Sequence, residues 1–110
     1  MNISEFVNEI EKILDDKKAV DVKILSIKGK PVIADYFIIA TGTSTTHVNA
    51  LADEVEFQMK QRGVRLNNRE GKSSNTWILL DYGDVVVHVF LPESREYYNI
   101  EKLWGSVKNE

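Results

Sequence analysis

The stretch that decides the fold is Trp77-Ile78-Leu79-Leu80-Asp81-Tyr82-Gly83-Asp84-Val85-Val86-Val87-His88-Val89-Phe90. Two runs rich in β-branched and aromatic residues flank Asp81-Tyr82-Gly83-Asp84, a turn signal, so the stretch reads as a β-hairpin. Two registers are open. A two-residue type I′ turn asks Tyr82 to take positive φ, which is costly for a bulky residue. A three-residue loop with Gly83 in the left-handed position avoids that cost and is favoured; it sends Trp77 and His88 to opposite faces. In either register Ile78, Leu79, Leu80, Val85, Val86 and Val87 do not alternate with polar residues. A strand pair apolar on both faces belongs in the middle of a sheet covered on both sides.

The rest of the chain supplies the cover. Ile3, Phe6, Val7, Ile10, Ile13 and Leu14 recur at three and four, which predicts an amphipathic helix capped by Asn2 or Ser4 and closed by Asp15-Asp16-Lys17-Lys18. Ala19 to Ile27 alternates as a strand, followed by a turn at Lys28-Gly29-Lys30-Pro31. Ala34 to Thr41 predicts a second, central strand ending in Thr41-Gly42-Thr43-Ser44. Val48, Leu51, Ala52, Val55 and Met59 stripe a second helix from about Thr45 to Arg62, with Thr43 or Ser44 as its cap and Gly63 beyond its end. A short strand is predicted at Val64 to Asn67, then a polar loop from Asn68 to Asn75. After the hairpin come a short helix and a turn carrying aromatic residues. The sum is an α/β fold with a mixed, about five-stranded sheet and two main helices on one face. Two helices do not cover both faces, so an apolar or aromatic face is expected to remain as a protein interface.

At 110 residues the chain, 1–110, is expected to be one domain. A net charge of -3 argues against a broad nucleic-acid footprint. The absence of cysteine excludes thiol catalysis, disulfides and thiolate metal sites. No apolar run approaches the ~18 residues of a membrane span, and no signal peptide precedes the fold, so a cytoplasmic location is expected.

Candidate chemistry is sparse. The Gly42 to Ser44 turn between strand and helix offers backbone N–H groups to a phosphate. It lacks both the P-loop ending and the dinucleotide glycine pattern, and such a turn needs Gly and Ser for structure anyway. His88, among valines, suits a hydrogen-bonded core or interface position. His47, in the first turn of a helix, is poorly placed to carry charge. Asp81 and Asp84 bracket a turn, where Asp bonds locally, and Asp35 begins a strand. Without cysteine, a His-x-x-x-His spacing or an Asp-x-Asp pair, no metal is expected. Ser44, His88 and Asp81 can be named as a triad, but without the Gly-x-Ser-x-Gly context. The sharper signal is Trp77, Tyr97, Tyr98 and Trp104 with Arg95 and Lys102 close by, residue types that dominate interface hot spots.

These residues also carry a resemblance. Asp35-Tyr36-Phe37, Thr41-Gly42-Thr43-Ser44 with His47-Val48, Glu70-Gly71, Trp77-Ile-Leu-Leu-Asp81, Val86-Val87-His88-Val89-Phe90 and Arg95-x-x-Tyr98-Asn99-Ile100-Glu101-x-Leu103-Trp104 resemble the ribosomal silencing factor (RsfS, or Iojap) family. The match runs from about Ile3 to Trp104. It implies a nucleotidyltransferase-like fold without the enzyme's metal carboxylates, and so a non-enzymatic factor with no cofactor. It further implies docking on the large ribosomal subunit through ribosomal protein L14 (uL14), which blocks small-subunit joining and represses translation under nutrient limitation. The partner-facing surface carried over is Trp77, Leu79, His88, Phe90, Tyr98, Leu103 and Trp104. A homodimer through the same face is also implied, with neither membrane attachment nor sequence-specific nucleic-acid binding. Two other readings stand beside it: a nucleotide-binding or nucleotidyltransferase-like enzyme using the Gly42–Ser44 turn, and a homodimeric adaptor for another protein.

Overall fold

A computed structural model describes residues 2–27, 34–71 and 75–104, with Trp104 described by its backbone alone. The turn expected at Lys28 to Pro31 and the middle of the polar loop lie outside the described residues. The elements run α1 (Ile3–Asp16), β1 (Val20–Ser26), β2 (Tyr36–Thr41), α2 (Thr45–Gln61), β3 (Asn68–Glu70), β4 (Trp77–Asp81), β5 (Val85–Phe90), α3 (Pro92–Tyr98) and α4 (Ile100–Trp104). The sheet has five strands in the order β1-β2-β5-β4-β3. Among the described residues only the β2–β5 pairing is parallel, and α2 lies within the connection that makes this possible. The two strands read as doubly apolar are therefore central.

Local chemistry starts and stops each helix as the sequence suggests. Asn2 closes a capping box with Glu5 at the head of α1, satisfying two otherwise orphaned donors. The Ser44 hydroxyl accepts from the His47 amide at the head of α2, and Gly63 follows its end at φ +80. Both helices pack on one face. Ile10, Ile13, Leu14, Val48, Leu51, Val55 and Met59 meet Ile38, Ala40, Ile78, Leu80, Val85, Val87 and Val89 in a single core cluster.

Two expectations are corrected. The third strand is not Val64 to Asn67 but Asn68–Glu70, paired with Asp81, Leu80 and Leu79 of β4. Val64 and Leu66 instead pack half-buried against the core, while polar residues take the edge position, where an apolar strand would invite association. The hairpin register also differs. Trp77 pairs with Phe90 and Leu79 with His88, and the Tyr82 amide donates to Val85, leaving Gly83-Asp84 as a two-residue turn. Gly83, at φ +92, holds the first central position, where a type II′ turn puts its glycine. Tyr82 stays in the flank and avoids positive φ. This register brings Trp77, Leu79, His88 and Phe90 to the same face of the sheet.

The second face is not left bare. Ile39, Thr41, Val86, His88 and Phe90 point away from α1 and α2, yet all are buried. The C-terminal segment closes over part of this side. Among the described residues of this side, Trp77, Leu79 and Phe37 remain partly accessible, and Tyr98 and Leu103 of the C-terminal helices are exposed.

Candidate functional site

Strand alternation sets the site. The β4 and β5 backbones present Trp77 and Phe90 as direct cross-strand partners, and α3 brings Tyr98 to them. The Trp77 ring stacks on Phe90 with centroids 4.9 Å apart and meets Tyr98 at 4.6 Å. Tyr97 lies edge-on to Tyr98 at 5.0 Å. Such ring pairs add roughly 0.5–1.5 kcal/mol each beyond area burial, so the cluster is rigid as well as apolar.

His88 is locked inside it. Trp77 Nε1–H donates to His88 Nδ1 at 3.1 Å, and Phe37 packs against the imidazole at 4.7 Å. An accepting Nδ1 places the ring proton on Nε2, a buried atom without a hydrogen-bond partner. Burial pushes the imidazole pKa down to about 4, so the ring is neutral at pH 7. His88 therefore orients Trp77 rather than moving protons.

Six of the seven carried-over residues have described side chains, and these fall into two layers. Phe90 and His88, 0 % and 4 % exposed, lie beneath. Trp77 and Leu79 are half-buried, and with Glu70 and Gly71 they line a hollow of about 180 Å³. Tyr98 and Leu103 are 51 % and 69 % exposed, and neighbouring Tyr97 is 81 % exposed. The Trp104 side chain lies outside the described residues.

The sequence marks Arg95 as a cation near the aromatic residues and as the head of the C-terminal family motif, without a role of its own. In the fold it is buried and central. Its Nη1 donates to the Asp21 carbonyl at 2.7 Å and to the Thr41 hydroxyl at 2.8 Å. Its Nε and Nη2 donate to the two carboxylate oxygens of Glu101 at 2.9 and 2.8 Å. Those hydrogen bonds hold the Glu101 carboxyl below its usual range against the opposing effect of burial. Asp21 adopts φ +52 in an irregular part of β1, and the carbonyl at this bend is the one that meets Arg95. Arg95 and Glu101 face each other across Asn99, a break between helices, so no helical spacing rule points to the pair.

The remaining candidates have separate structural employment. Around the Gly42–Ser44 turn, the Gly42 amide donates to Phe90, and the Thr43 amide to His47 Nδ1. The His47 and Val48 amides donate to Ser44. A Cβ on Gly42 would sit 2.9 Å from the Val48 amide nitrogen, so glycine is required for strand and helix to approach this closely. These four donors are thus already paired within the protein. His47 Nε2 donates to the Lys17 carbonyl at 2.9 Å, which joins α2 to the end of α1. Asp81 accepts from the Gly83 amide within the turn. Ser44, His88 and Asp81 each have other partners and form no mutual hydrogen bond. Among the described residues no set of His, Asp and Glu converges as metal ligands.

The class these features define is a small α/β protein that offers an aromatic surface at one end of its sheet. The family described as ribosomal silencing factor during starvation (RsfS) matches residues 1–110, and the chain belongs to it. It is 42% identical over 105 residues to the ribosomal silencing factor RsfS of Bacillus subtilis, covering 96% of this chain and 89% of that protein. It is 33% identical over 101 residues to the mouse protein named mitochondrial assembly of ribosomal large subunit protein 1, covering 89% of this chain and 44% of that one. A crystal structure of a Chromobacterium violaceum protein superposes with a TM-score of 0.93 at 41% identity, over 100% of this chain and 92% of that one.

Proposed function

We propose that the chain binds the large ribosomal subunit through ribosomal protein L14 (uL14), sterically blocks association with the small subunit and so represses translation when nutrients are limiting. Membership of a family named for ribosome silencing supports the ribosome as target. The observation that carries the docking mode is the rigid Trp77–Tyr98 pair with Leu79 and Leu103 at the open end of the sheet. Aromatic anchors with little entropy left to lose are what hot spots use. His88 and Phe90 support the surface from below by holding Trp77, and Trp104 is assigned to it on the family resemblance alone.

The mechanism needs no reaction and no cofactor. Occupying the joining surface suffices, provided the interface buries on the order of 1,200 Å² or more in total. With a net charge of -3, the contact is carried by protein rather than by rRNA phosphates, so binding should depend only weakly on salt. A homodimer through the same surface would compete with the ribosome by mass action.

Sedimentation of the purified protein with separated ribosomal subunits tests this reading. Co-sedimentation with large subunits alone, with fewer joined ribosomes, is expected. Binding to neither subunit would sink it.

A further inference from the structure

The docking surface is assembled from two pieces held by different forces. Trp77 and Leu79 belong to a central strand, whereas Leu103 belongs to α4, a five-residue helix whose described side chains are exposed or half-buried. Among these described side chains, none is fully buried. Asn99 joins it to α3 as a single-residue hinge in the left-handed region, φ 47 and ψ 50. That residue ends α3 by donating its amide to the Arg95 carbonyl at 2.9 Å, and its side chain accepts from the Lys102 amide at 3.3 Å. Both bonds are local to the hinge. The link from α4 back to the sheet is the Glu101 carboxylate, gripped bidentately by Arg95. Arg95 is in turn fixed by the Asp21 carbonyl on β1 and the Thr41 hydroxyl on β2. A chain of charge-assisted bonds thus runs from two strands, through one guanidinium, to α4.

We infer that Glu101 is a positioning residue for the docking surface: acting through Arg95, it holds α4 and its Leu103 at one fixed setting relative to α3 and the sheet. This inference rests on the ribosome-docking reading above. The paired carboxylate pre-organises the surface, so that ordering of α4 is not deferred to the moment of binding. A carboxylate is needed because only two equivalent oxygens match both the Nε and the Nη2 donors of the guanidinium.

The test compares wild type with Glu101→Gln, Glu101→Asp and Tyr98→Ala, each bound to purified large ribosomal subunits. Backbone order parameters at Ile100–Leu103 are measured on the free proteins. Glu101→Gln should weaken binding about tenfold, the effect of losing one charged hydrogen bond. Its α4 order parameters should fall from about 0.85 towards 0.6, while those of Trp77–Phe90 stay unchanged. Glu101→Asp, which keeps the charge, should recover part of both losses. Tyr98→Ala should weaken binding with α4 still ordered.

The outcomes separate the two levels. If Tyr98→Ala weakens binding and Glu101→Gln does not, the positioning role is overturned and the docking reading stands. If Glu101→Gln weakens binding with α4 as ordered as in wild type, the carboxylate touches the partner itself and positioning is again overturned. If neither variant binds less tightly, the docking reading fails; unchanged order in α4 then overturns the positioning claim as well.

Discussion

The two faces of the sheet are closed in different ways. Against α1 and α2 the contact is a continuous apolar core, with Ile10, Leu51, Val55, Met59, Ile78 and Val87 all fully buried. On the opposite side a small apolar cluster of Ile27, Ala34 and Val86 is joined by buried polar groups. His88 and Thr41 are buried there, Arg95 is buried with its charge paired, and rings stack where aliphatic side chains would otherwise interdigitate. The first solution gives stability without directional demands. The second gives defined geometry at a higher desolvation cost, which suits a surface that must meet a partner. Phe57 sharpens the contrast. It is an exposed aromatic on α2, on the helix side, and it joins none of the aromatic pairs formed by the described residues.

The largest expected effect falls on the apolar side. Leu51→Ala should cost about 3 kcal/mol in urea unfolding, because a fully buried leucine leaves a cavity between helix and sheet. A cost under about 1 kcal/mol would show that this face does not dominate stability.

The next concerns pH. His88 is neutral in the fold with a pKa of about 4, against 6.5 for a free imidazole. The unfolded chain binds the extra proton first, so stability should fall as pH drops from about 6.5 towards 4. The full loss is about 3 kcal/mol, most of it above the range where carboxylates titrate. Unfolding curves of wild type and His88→Phe at pH 7 and pH 5 check this; equal slopes with pH would exclude the buried imidazole as the cause.

A smaller effect is expected at the latch. Thr41→Val keeps the shape but removes an acceptor from Arg95, and should cost about 1 kcal/mol by thermal unfolding. No change would mean that water or another group replaces the hydroxyl. Tyr98→Ala, which loses the ring contacts to Trp77 and Tyr97, should cost a similar amount of about 1 kcal/mol. Smallest of all, Phe57→Ala should alter stability by no more than about 0.5 kcal/mol, since that ring is largely exposed and joins no aromatic pair among the described residues.

Most of the helix side is legible in the sequence. The stripes of α1 and α2, the capping candidates and Gly63 all follow from periodicity, and the unbroken apolar runs of β2, β4 and β5 mark central strands. Legibility fails where several solutions satisfy one local rule. Asp81-Tyr82-Gly83-Asp84 admits more than one loop, and only the pairing of β4 with β5 shows the one that starts its turn at Gly83. The edge strand is hidden because Val64 and Leu66 look more strand-like than Asn68-Arg69-Glu70, although an edge tolerates polar residues. The Arg95 latch is hidden for a topological reason. Its acceptors at Thr41 and Asp21 lie 54 and 74 positions away, and its carboxylate partner sits beyond a helix break. The aromatic residues of the candidate surface are visible by type, but that Trp77 and His88 share a face is decided by register alone.

The most direct test of the account sets the two exposed aromatics against each other in binding to purified large ribosomal subunits. Tyr98→Ala should weaken binding by at least tenfold while Phe57→Ala binds as wild type, with both variants folded. Loss of binding in Phe57→Ala, with Tyr98→Ala unaffected, would place the docking surface on the helix side and contradict the account.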